Sequence, residues 1–562
     1  MQNLRRSGRR RRLSWSVLRL AGLGVTLLLL AGWAAWPGQA DAIGGTASRL
    51  ASPTHTSGTT TIQTVFGLRR TPTPTRTATA TPIQTPSPTA TASPSATPAP
   101  PPAPSRSIQS MVDAAAPGAV VTVPAGIYRE AVTISKPLTL VGQPGAEIRG
   151  SDVWTGWTRS GAYWVHGTVP TFPASNAPCL AASNGRCDWP EQVFFDGKPL
   201  LQVAANPTSG QFAVDGSRRV VLADDPSGHT VEVTTRQFWI FGLADNVTVQ
   251  GFTMKDAASP PQLGAIENNG HANWTLQSNT LSDAAGAVVF LNDTSGLRVL
   301  GNDIARGGQE GLSLDNTTGA IVRGNTVHDN NSELFDTAWE AGGAKITHST
   351  SLTVDANTFS KNFGAGLWLD MNCSGVTVSN NRADHNARTG IAFEVSHQGT
   401  IVGNAVWENG WDKPTSWGAA GIFVNSSDHT AVYNNVVAWN VSGITVLSEQ
   451  RSDAQPVVDI AVHDNTIAAT DDFSPGNRYA FRWLEDYSGM LYQTASNNHG
   501  LNDRYWYPTT GATSSRYHWT GDLSQLAAFD LTPGEHGGSY ISTQQRDQTL
   551  TAAGVPTAQE HH

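Results

Sequence analysis

The sequence predicts an all-β fold, a right-handed parallel β-helix solenoid, and two repeated features predict it. Asparagines in the pattern apolar-x-x-Asn recur at intervals of 23, 23, 32, 24, 23, 31 and 30 residues, as Asn279, Asn302, Asn325, Asn357, Asn381, Asn404, Asn435 and Asn465. Segments in which apolar and polar residues alternate precede most of them, as in residues 366–370 and 390–394. Alternation is typical of strands with one buried face. Units this small stack into coils to bury a core, so we expect the asparagines to form a ladder inside the turns.

The composition excludes several other classes of protein. The chain has 562 residues with only 14% charged side chains, 55 Gly and 32 Pro, which disfavours helix bundles and coiled coils. Three cysteines are too few for a disulfide scaffold or a four-thiolate zinc site. Residues 105–562 hold 25 basic and 44 acidic side chains, a net charge of −19. Such a body repels a phosphate backbone, so we expect no nucleic-acid partner.

The N-terminus predicts export. A flank rich in arginine precedes an apolar run of 17 residues at 20–36, and Ala-Asp-Ala at 40–42 fits a small-x-small cleavage site. The run is intermediate in length between a signal core and a membrane span, so residues 1–42 are either a cleaved signal peptide or an uncleaved transmembrane anchor. In both cases the arginine-rich end stays on the cytoplasmic side of the membrane. We expect an extracellular protein, secreted or tethered, that contacts the membrane only through this segment.

Changes of pattern divide the chain into six segments. Of the 34 residues at 71–104, 31 are Thr, Pro, Ala or Ser, a composition that cannot fold. Alternating strands with Gly, Asp and Pro turns interrupt the repeat after residue 150, and an aromatic-rich, then helical, stretch replaces it after residue 470. We expect a signal or anchor (1–42), a disordered linker (43–104), first coils (105–150), an inserted β-subdomain (151–240), β-helix repeats (241–470) and a C-terminal cap (471–562). A capped solenoid needs no partner chain, and we expect a monomer.

The cysteines predict one disulfide. Cys179 and Cys187 lie close together in CLAASNGRC, and export places them where disulfides form. We expect these two to pair, which leaves Cys373 as a free thiol.

Two stretches resemble known β-helix proteins. Residues 107–150 resemble the opening of pectate-lyase-like β-helix proteins. The motifs WEAGGAKI, GLWLDMNCSGVTVSNN and GIAFEVSH are similar to exported β-helix proteins grouped with sugar hydrolases, including glycoside hydrolase family 141-like enzymes. The resemblance implies a β-helix that acts on carbohydrate. It leaves the reaction open, because this fold carries lyases, hydrolases, epimerases and adhesins.

Stacked coils turn the alternating segments into columns of outward-facing side chains. The third positions form the column Ser313, Lys345, Trp368, Ala392, Phe423 and Thr445, and the fifth positions form the column Asp315, Thr347, Asp370, Glu394, Asn425 and Leu447. Neighbouring coils lie about 4.8 Å apart. We expect both columns to be exposed on one sheet face, with Lys345, Trp368, Asp370 and Glu394 as the floor of a cleft.

The two longest intervals predict two walls for this cleft. The interval of 32 residues places an extra loop at 328–341, with Asp336, Trp339 and Glu340. The interval of 31 places another at 407–419, with Trp411, Asp412 and Trp417. Carboxylates bond sugar hydroxyls, and indole faces stack on sugar rings. We expect substrate contacts from Lys345, Trp368, Trp339, Glu340, Trp411, Trp417 and His397.

The carboxylates favour glycoside hydrolysis. This reaction uses two carboxyl groups, roughly 5–5.5 Å apart for retention and roughly 6.5–9.5 Å apart for inversion. Asp370 and Glu394, on successive coils, fit the shorter distance, and Asp315 with Asp370 fits the longer one. We expect Asp370 and Glu394 to be the acid/base pair, assisted by Asp315 or Glu340, in a cofactor-free enzyme for a polysaccharide or oligosaccharide.

Two alternatives stay open on the sequence alone. A polysaccharide lyase could use Lys345 as the base, with Arg388 or His397 nearby and Ca²⁺ held by Asp315 and Asp370 to neutralise a uronate. The cleft could instead belong to a carbohydrate-binding or adhesin module without catalysis.

Overall fold

The computed structural model describes residues 106–173, 175, 177–412, 418–469, 479–485, 489–509 and 514–560. The predicted export segment, the whole of the predicted linker and Trp417 lie outside the described residues. Within the described part of the chain, no helix combines the length and the apolar character that crossing a membrane requires.

The solenoid begins with a short helix that covers its open end. Ser107 caps helix α1 (Ile108–Ala114), which buries Ile108 and Val112 against the first coil. The first strands are β1 (Val120–Val123), β2 (Gly126–Tyr128), β3 (Val132–Ile134), β4 (Leu138–Gly142) and β5 (Ala146–Arg149).

A separate β-subdomain follows these strands. It contains β6 (Ser151–Val153), β7 (Thr158–Ser160), β8 (Tyr163–His166), β9 (Val193–Phe195), β10 (Lys198–Pro199), β11 (Leu201–Gln202), β12 (Gln211–Val214), β13 (Val220–Leu222) and β14 (Val231–Thr234), with 3₁₀ turns at Ala181–Ser183 and Arg186–Asp188. Strands β10-β9-β14-β6 and β11-β12-β13-β8-β7 form two sheets. Their inward residues, including Val193, Phe212 and Val233, form a core apart from that of the solenoid.

The solenoid then resumes with strands that each span three to nine residues. They are β15 (Ile240–Gly242), β16 (Val247–Gln250), β17 (Thr253–Ala257), β18 (Gly264–Asn269), β19 (Thr275–Gln277), β20 (Thr280–Ala284), β21 (Ala287–Ser295), β22 (Arg298–Leu300), β23 (Asp303–Ala305), β24 (Glu310–Thr318), β25 (Ile321–Arg323), β26 (Thr326–His328), β27 (Gly342–Thr347), β28 (Thr353–Asp355), β29 (Thr358–Ser360), β30 (Ala365–Asp370), β31 (Ser374–Ser379), β32 (Arg382–Asp384), β33 (Ile391–Glu394), β34 (His397–Val402), β35 (Ala405–Trp407), β36 (Ile422–Asn425), β37 (Ala431–Tyr433), β38 (Val436–Ala438), β39 (Ile444–Ser448), β40 (Ala461–His463) and β41 (Thr466–Ala468).

A cap closes the C-terminal end. It contains β42 (Phe481–Glu485), a 3₁₀ turn at Thr494–Ser496, β43 (His499–Leu501), β44 (Arg504–Trp506), β45 (Tyr517–His518), β46 (Asp522–Leu523), helix α2 (Leu526–Phe529), β47 (Ser539–Tyr540) and helix α3 (Thr543–Ala553). Aromatic rings, among them Trp483, Tyr517 and Phe529, fill the last coils in place of small apolar residues. The predicted cap is confirmed.

Three long parallel sheets form the walls of the solenoid. The site sheet has the order β3-β15-β18-β21-β24-β27-β30-β33-β36-β39-β42-β45-β46, the second sheet runs from β1 to β43, and the third sheet runs from β2 to β47. Pairing is parallel throughout except at β45–β46. The inward residues of all three sheets form one continuous core, so the predicted all-β solenoid is confirmed.

The predicted asparagine ladder is also present. Each ladder asparagine accepts hydrogen bonds from the backbone and side-chain amides of the preceding one, at 2.8–3.0 Å from Asn279 to Asn465. A second ladder, which we did not predict, joins Asn330, Asn362, Asn386, Asn409 and Asn440. Both satisfy buried turn amides and so fix the register of the outward columns.

Candidate functional site

The outward columns pair as the sequence predicts. Lys345 lies opposite Trp368, and Trp368 lies opposite Ala392 on the next strand. In the column of fifth positions, Thr347 pairs with Asp370, and Glu394 pairs with Asn425. The alternation of each strand therefore places these polar side chains on the outer face of the site sheet.

The expectation of an exposed floor is wrong, because neighbouring segments cover it. Lys345 is 5% exposed, Asp370 2% and Glu394 9%. The guanidinium carbon of Arg388 lies 6.0 Å from the centroid of the Trp368 ring, and Gly418 lies against Arg388. The site is a buried polar cluster set among the apolar side chains Ala365, Trp368, Ala392, Ala420, Phe423 and Leu447.

Lys345 lies at the centre of the cluster. Its Nζ is 3.1 Å from Asp370 Oδ2, 3.9 Å from Glu340 Oε1 and 3.6 Å from the centroid of the Trp368 ring. It also donates a hydrogen bond to the carbonyl of Trp339 at 3.1 Å. Burial lowers the pKa of Lys345, but the charges of Asp370 and Glu340 outweigh burial and raise it above its ordinary value. The lysine is therefore a fixed cation at neutral pH.

Glu394 occupies the next coil with a different set of partners. Its Oε2 accepts the indole N–H of Trp368 at 2.9 Å, and its Oε1 accepts the Asn425 amide at 3.0 Å. Arg451 also bonds Oε1. Burial and the negative charge of Asp370 raise the pKa of Glu394 to about 7, against the opposing charge of Arg451.

The two carboxyl groups therefore differ in kind. Asp370 is paired with a cation, and its Oδ1 accepts the Met371 amide at 2.8 Å. Glu394 is also paired with a cation, Arg451, but burial and the charge of Asp370 raise its pKa to about 7. Their strands are neighbours, so their backbones lie about 4.8 Å apart. A carboxylate and a carboxylic acid side by side can carry out nucleophilic and acid catalysis on one bond.

Asp315 lies two strands before Asp370 and has its own partners. Its Oδ1 accepts a hydrogen bond from the Thr347 hydroxyl at 2.7 Å and lies 2.7 Å from Nδ1 of His348. Thr347 lies in register between Asp315 and Asp370. An ammonium group thus pairs with Oδ2 of Asp370, and the Thr347 hydroxyl and the His348 ring both meet Oδ1 of Asp315.

The wall that carries Trp339 and Glu340 is braced by the inserted subdomain. Cys179 and Cys187 form a disulfide, as expected, and Cys179 makes a β-bridge with Phe335. Arg186 Nε lies 2.9 Å from Glu333 Oε2. The buried Cys187 packs with Phe335 and with the half-buried Trp339. The remaining cysteine, Cys373, is a buried free thiol.

Two predicted contact residues have partners elsewhere. Trp411 donates its indole N–H to the Trp439 carbonyl at 3.0 Å, and Trp439 packs with Trp407 on the third sheet. His397 begins β34 of the second sheet, and its Nδ1 lies 2.9 Å from Asp428 Oδ2. Both predicted contact residues therefore have hydrogen-bond partners outside the carboxyl cluster.

Sequence reasoning missed three charged or titratable residues of this region. Arg451 lies in a segment that follows β39 and returns along the ends of the strands to Glu394, where it also pairs with Asp453. The interval of 30 residues between Asn435 and Asn465 was the available signal for this insertion. His348 directly follows β27, and Glu310 begins β24.

Glu310 is unusual among these residues. It is 2% exposed, and its Oε1 has no hydrogen-bond partner. Burial and the charge of Glu340 raise its pKa to about 8, against the charge of Lys345. A neutral carboxyl thus borders the lysine on the side opposite Asp370.

The family comparison agrees with the strand pairing. Residues 264–437 match the family model described as "Right handed beta helix region". This chain is a right-handed parallel β-helix. No curated protein matches its sequence. The finer likeness to glycoside hydrolase family 141 stays a prediction.

Three solved structures are similar to this chain at low sequence identity. The complex structure of XylC with xylose aligns with a TM-score of 0.54 and 15% identity over 74% of this chain and 83% of that one. The A-module of mannuronan C-5 epimerase AlgE6 from Azotobacter vinelandii has a TM-score of 0.46 and 12% identity over 77% and 94%. The catalytic unit of a GH87 α-1,3-glucanase from Streptomyces thermodiastaticus has 0.41 and 11% over 79% and 67%. The similarity to the XylC structure supports the fold alone, and the chemistry has to come from the site.

Proposed function

We propose that the protein is a glycoside hydrolase that acts outside the cell on a polysaccharide or oligosaccharide. The observation that carries the proposal is the pair Asp370 and Glu394. The two carboxyl groups lie on successive strands; Lys345 pairs with Asp370, while burial and the charge of Asp370 raise the pKa of Glu394 to about 7.

The roles follow from the partners. Glu394, which retains a proton near neutral pH, donates it to the glycosidic oxygen as the bond to the leaving sugar breaks. Asp370 attacks the anomeric carbon, and a water molecule deprotonated by Glu394 then hydrolyses the glycosyl-enzyme intermediate. The spacing of about one strand favours retention of configuration. Lys345 holds the Asp370 carboxylate in place through the 3.1 Å contact.

The structure favours hydrolysis over the lyase alternative. A lyase needs an unprotonated base, but the carboxylates around Lys345 raise its pKa and keep it protonated. Arg388 stacks near Trp368, and His397 is paired with Asp428 on another sheet. Neither supplies a second base beside the lysine.

The test assays the full-length chain on neutral and uronate-containing polysaccharides. We would follow new reducing ends together with the ultraviolet absorbance of unsaturated uronates, for the wild type and for Asp370→Asn, Glu394→Gln and Lys345→Met. Asp428→Asn, which removes a carboxylate paired with a histidine on the second sheet, is the matched control.

Reducing ends without that absorbance, lost in both carboxyl variants and kept in the control, support the proposal. Absorbance that depends on Lys345 would identify a lyase. Binding without any turnover would identify a carbohydrate-binding module.

A further inference from the structure

The outer face of the site sheet changes character at Lys345. On its N-terminal side, the same outward column contains Phe241, Glu267, Phe290 and Ser313, each in register with the next, and Ser313 pairs with Lys345. These four side chains are half-buried and accessible, and we call them the open strip. From Lys345 onward the column is buried. The open strip therefore ends against the carboxylate site.

The side chains of the open strip suit a sugar chain. Phe241 and Phe290 lie two strands apart, roughly 10 Å, and present phenyl rings on the same face. Glu267 lies between them and makes no hydrogen bond or ion pair with any described residue. Burial raises its pKa to about 7, so it can donate as well as accept hydrogen bonds. Rings that alternate with an unpartnered carboxyl group match the apolar faces and hydroxyl edges of a glycan.

The closed end of the open strip carries a buried carboxyl group that interacts with Ser313 through its side chain and leaves one oxygen without a partner. Glu310, on the same strand as Ser313, is nine-tenths or more buried, and its Oε1 lacks a hydrogen-bond partner. Buried polar atoms without partners are rare in native proteins, and each one calls for an explanation such as strain or a catalytic role. The charged side chains that shift its pKa are Glu340 and Lys345, which belong to the buried polar cluster.

We propose that the open strip binds a glycan that lies across the strands, with the end of its chain against Lys345 and Asp370, so that sugars are removed from the chain end. The removal of sugars from the chain end rests on the proposed hydrolase function, whereas the binding of the glycan to the open strip does not. A chain that continued past the strand of Glu394 would meet the buried residues Phe423 and Leu447. A protein segment fits less well, because the rings of Phe241, which packs against Phe238, and Phe290 are separated by the carboxyl group of Glu267 and form no continuous apolar groove.

The test measures binding and product size separately. The full-length chain carrying Glu394→Gln is run through native gels that contain soluble arabinoxylan, alginate or dextran, so that the polysaccharide is not consumed. The test variant adds Phe241→Leu and Phe290→Leu, which keep apolar volume and remove the rings. The control adds Tyr433→Leu, which removes a half-buried ring stacked on His463 on the second sheet.

The proposal predicts that at least one polysaccharide retards the parent and the control, and that loss of both rings weakens retardation about fivefold or more. In the Glu394-intact chain, short products should appear from the first time point. Equal retardation of test and control variants would overturn the binding strip, as would no retardation in any gel. Random internal cleavage would overturn chain-end action. Failure of the hydrolase proposal looks different: no products form, whatever the gels show.

Discussion

Lys345 and Asp370, on neighbouring strands of the site sheet, form a buried ion pair with 3.1 Å between Nζ and Oδ2. The lysine also lies over the Trp368 ring, whose N–H holds Glu394. One cation thus connects both carboxyl groups, and the consequences can be measured.

Replacement of Lys345 by Met should destabilise the fold. Asp370 would stay buried without its cation, at a cost of about 3 kcal/mol. The double variant Lys345→Met with Asp370→Asn should lose less than the single one, because no uncompensated charge remains. Urea unfolding midpoints measure both, with the exposed Lys361→Met as control. Equal midpoints for wild type and Lys345→Met would refute the pairing.

Activity should fall as the pH rises through about 7. Glu394 must carry its proton to act as an acid, and burial with the charge of Asp370 raises its pKa to about that value. The alkaline limb of kcat/KM against pH is the measurement. A limb that stays flat to about pH 9 would contradict the role of Glu394.

Arg451→Met should move that limb to higher pH. The guanidinium charge opposes protonation of Glu394, so its removal raises the pKa of the carboxyl further. The comparison of pH profiles for wild type and variant checks the direction. Arg323→Met, which removes an arginine paired with Asp355 on the second sheet, should leave the profile unchanged.

The repeat made the columns predictable, and the insertions hid their surroundings. Alternation around Asp370 and Glu394 specifies which side chains share a face, and the asparagine interval specifies which coils are neighbours. Neither encodes the path of an irregular segment, so Arg451 and the burial of the floor could not be read from the pattern. The ladder also continues one coil beyond Asn465, where Asp503 replaces asparagine after an interval of 38 residues.

Loss of the disulfide should impair the site more than the solenoid. Cys179→Ser with Cys187→Ser frees a short loop that packs on Phe335 and Trp339, at a cost of about 2.5 kcal/mol in the chain-entropy account. Since the subdomain has its own core, the loss of stability should be confined to the loop and the wall that it supports. We expect a higher KM and a nearly unchanged main unfolding transition. The reverse pattern would show that the loop does not support the wall.

Asp503→Asn should stabilise the cap at alkaline pH. Asn465 donates two hydrogen bonds to Asp503 Oδ1, while Oδ2 is buried without a partner. Burial and the charge of Glu535 raise the pKa of Asp503 well above its ordinary value, and burial raises that of Glu535 to about 7. The folded state therefore holds protons that the unfolded state releases above about pH 4, and stability falls as the pH rises through about 7.

An asparagine would supply the N–H₂ group that the other ladder positions have. Thermal unfolding should give a higher midpoint for the variant at about pH 8 and a similar one at about pH 5. Asn435→Asp, which places a carboxyl in the middle of the ladder, is the control and should do the opposite. A pH-independent difference would show that protonation of the cap is not involved.

The proposed glycoside hydrolysis gives Asp370 and Glu394 two different roles. An aryl glycoside with a good leaving group needs a nucleophile but little help from an acid, so it separates the roles. The measurement compares hydrolysis of a dinitrophenyl glycoside of the released sugar by wild type, Asp370→Asn and Glu394→Gln. We predict that Glu394→Gln keeps its first-turnover rate while Asp370→Asn loses it. Undiminished turnover in Asp370→Asn, on this substrate or on the polysaccharide, would contradict the account.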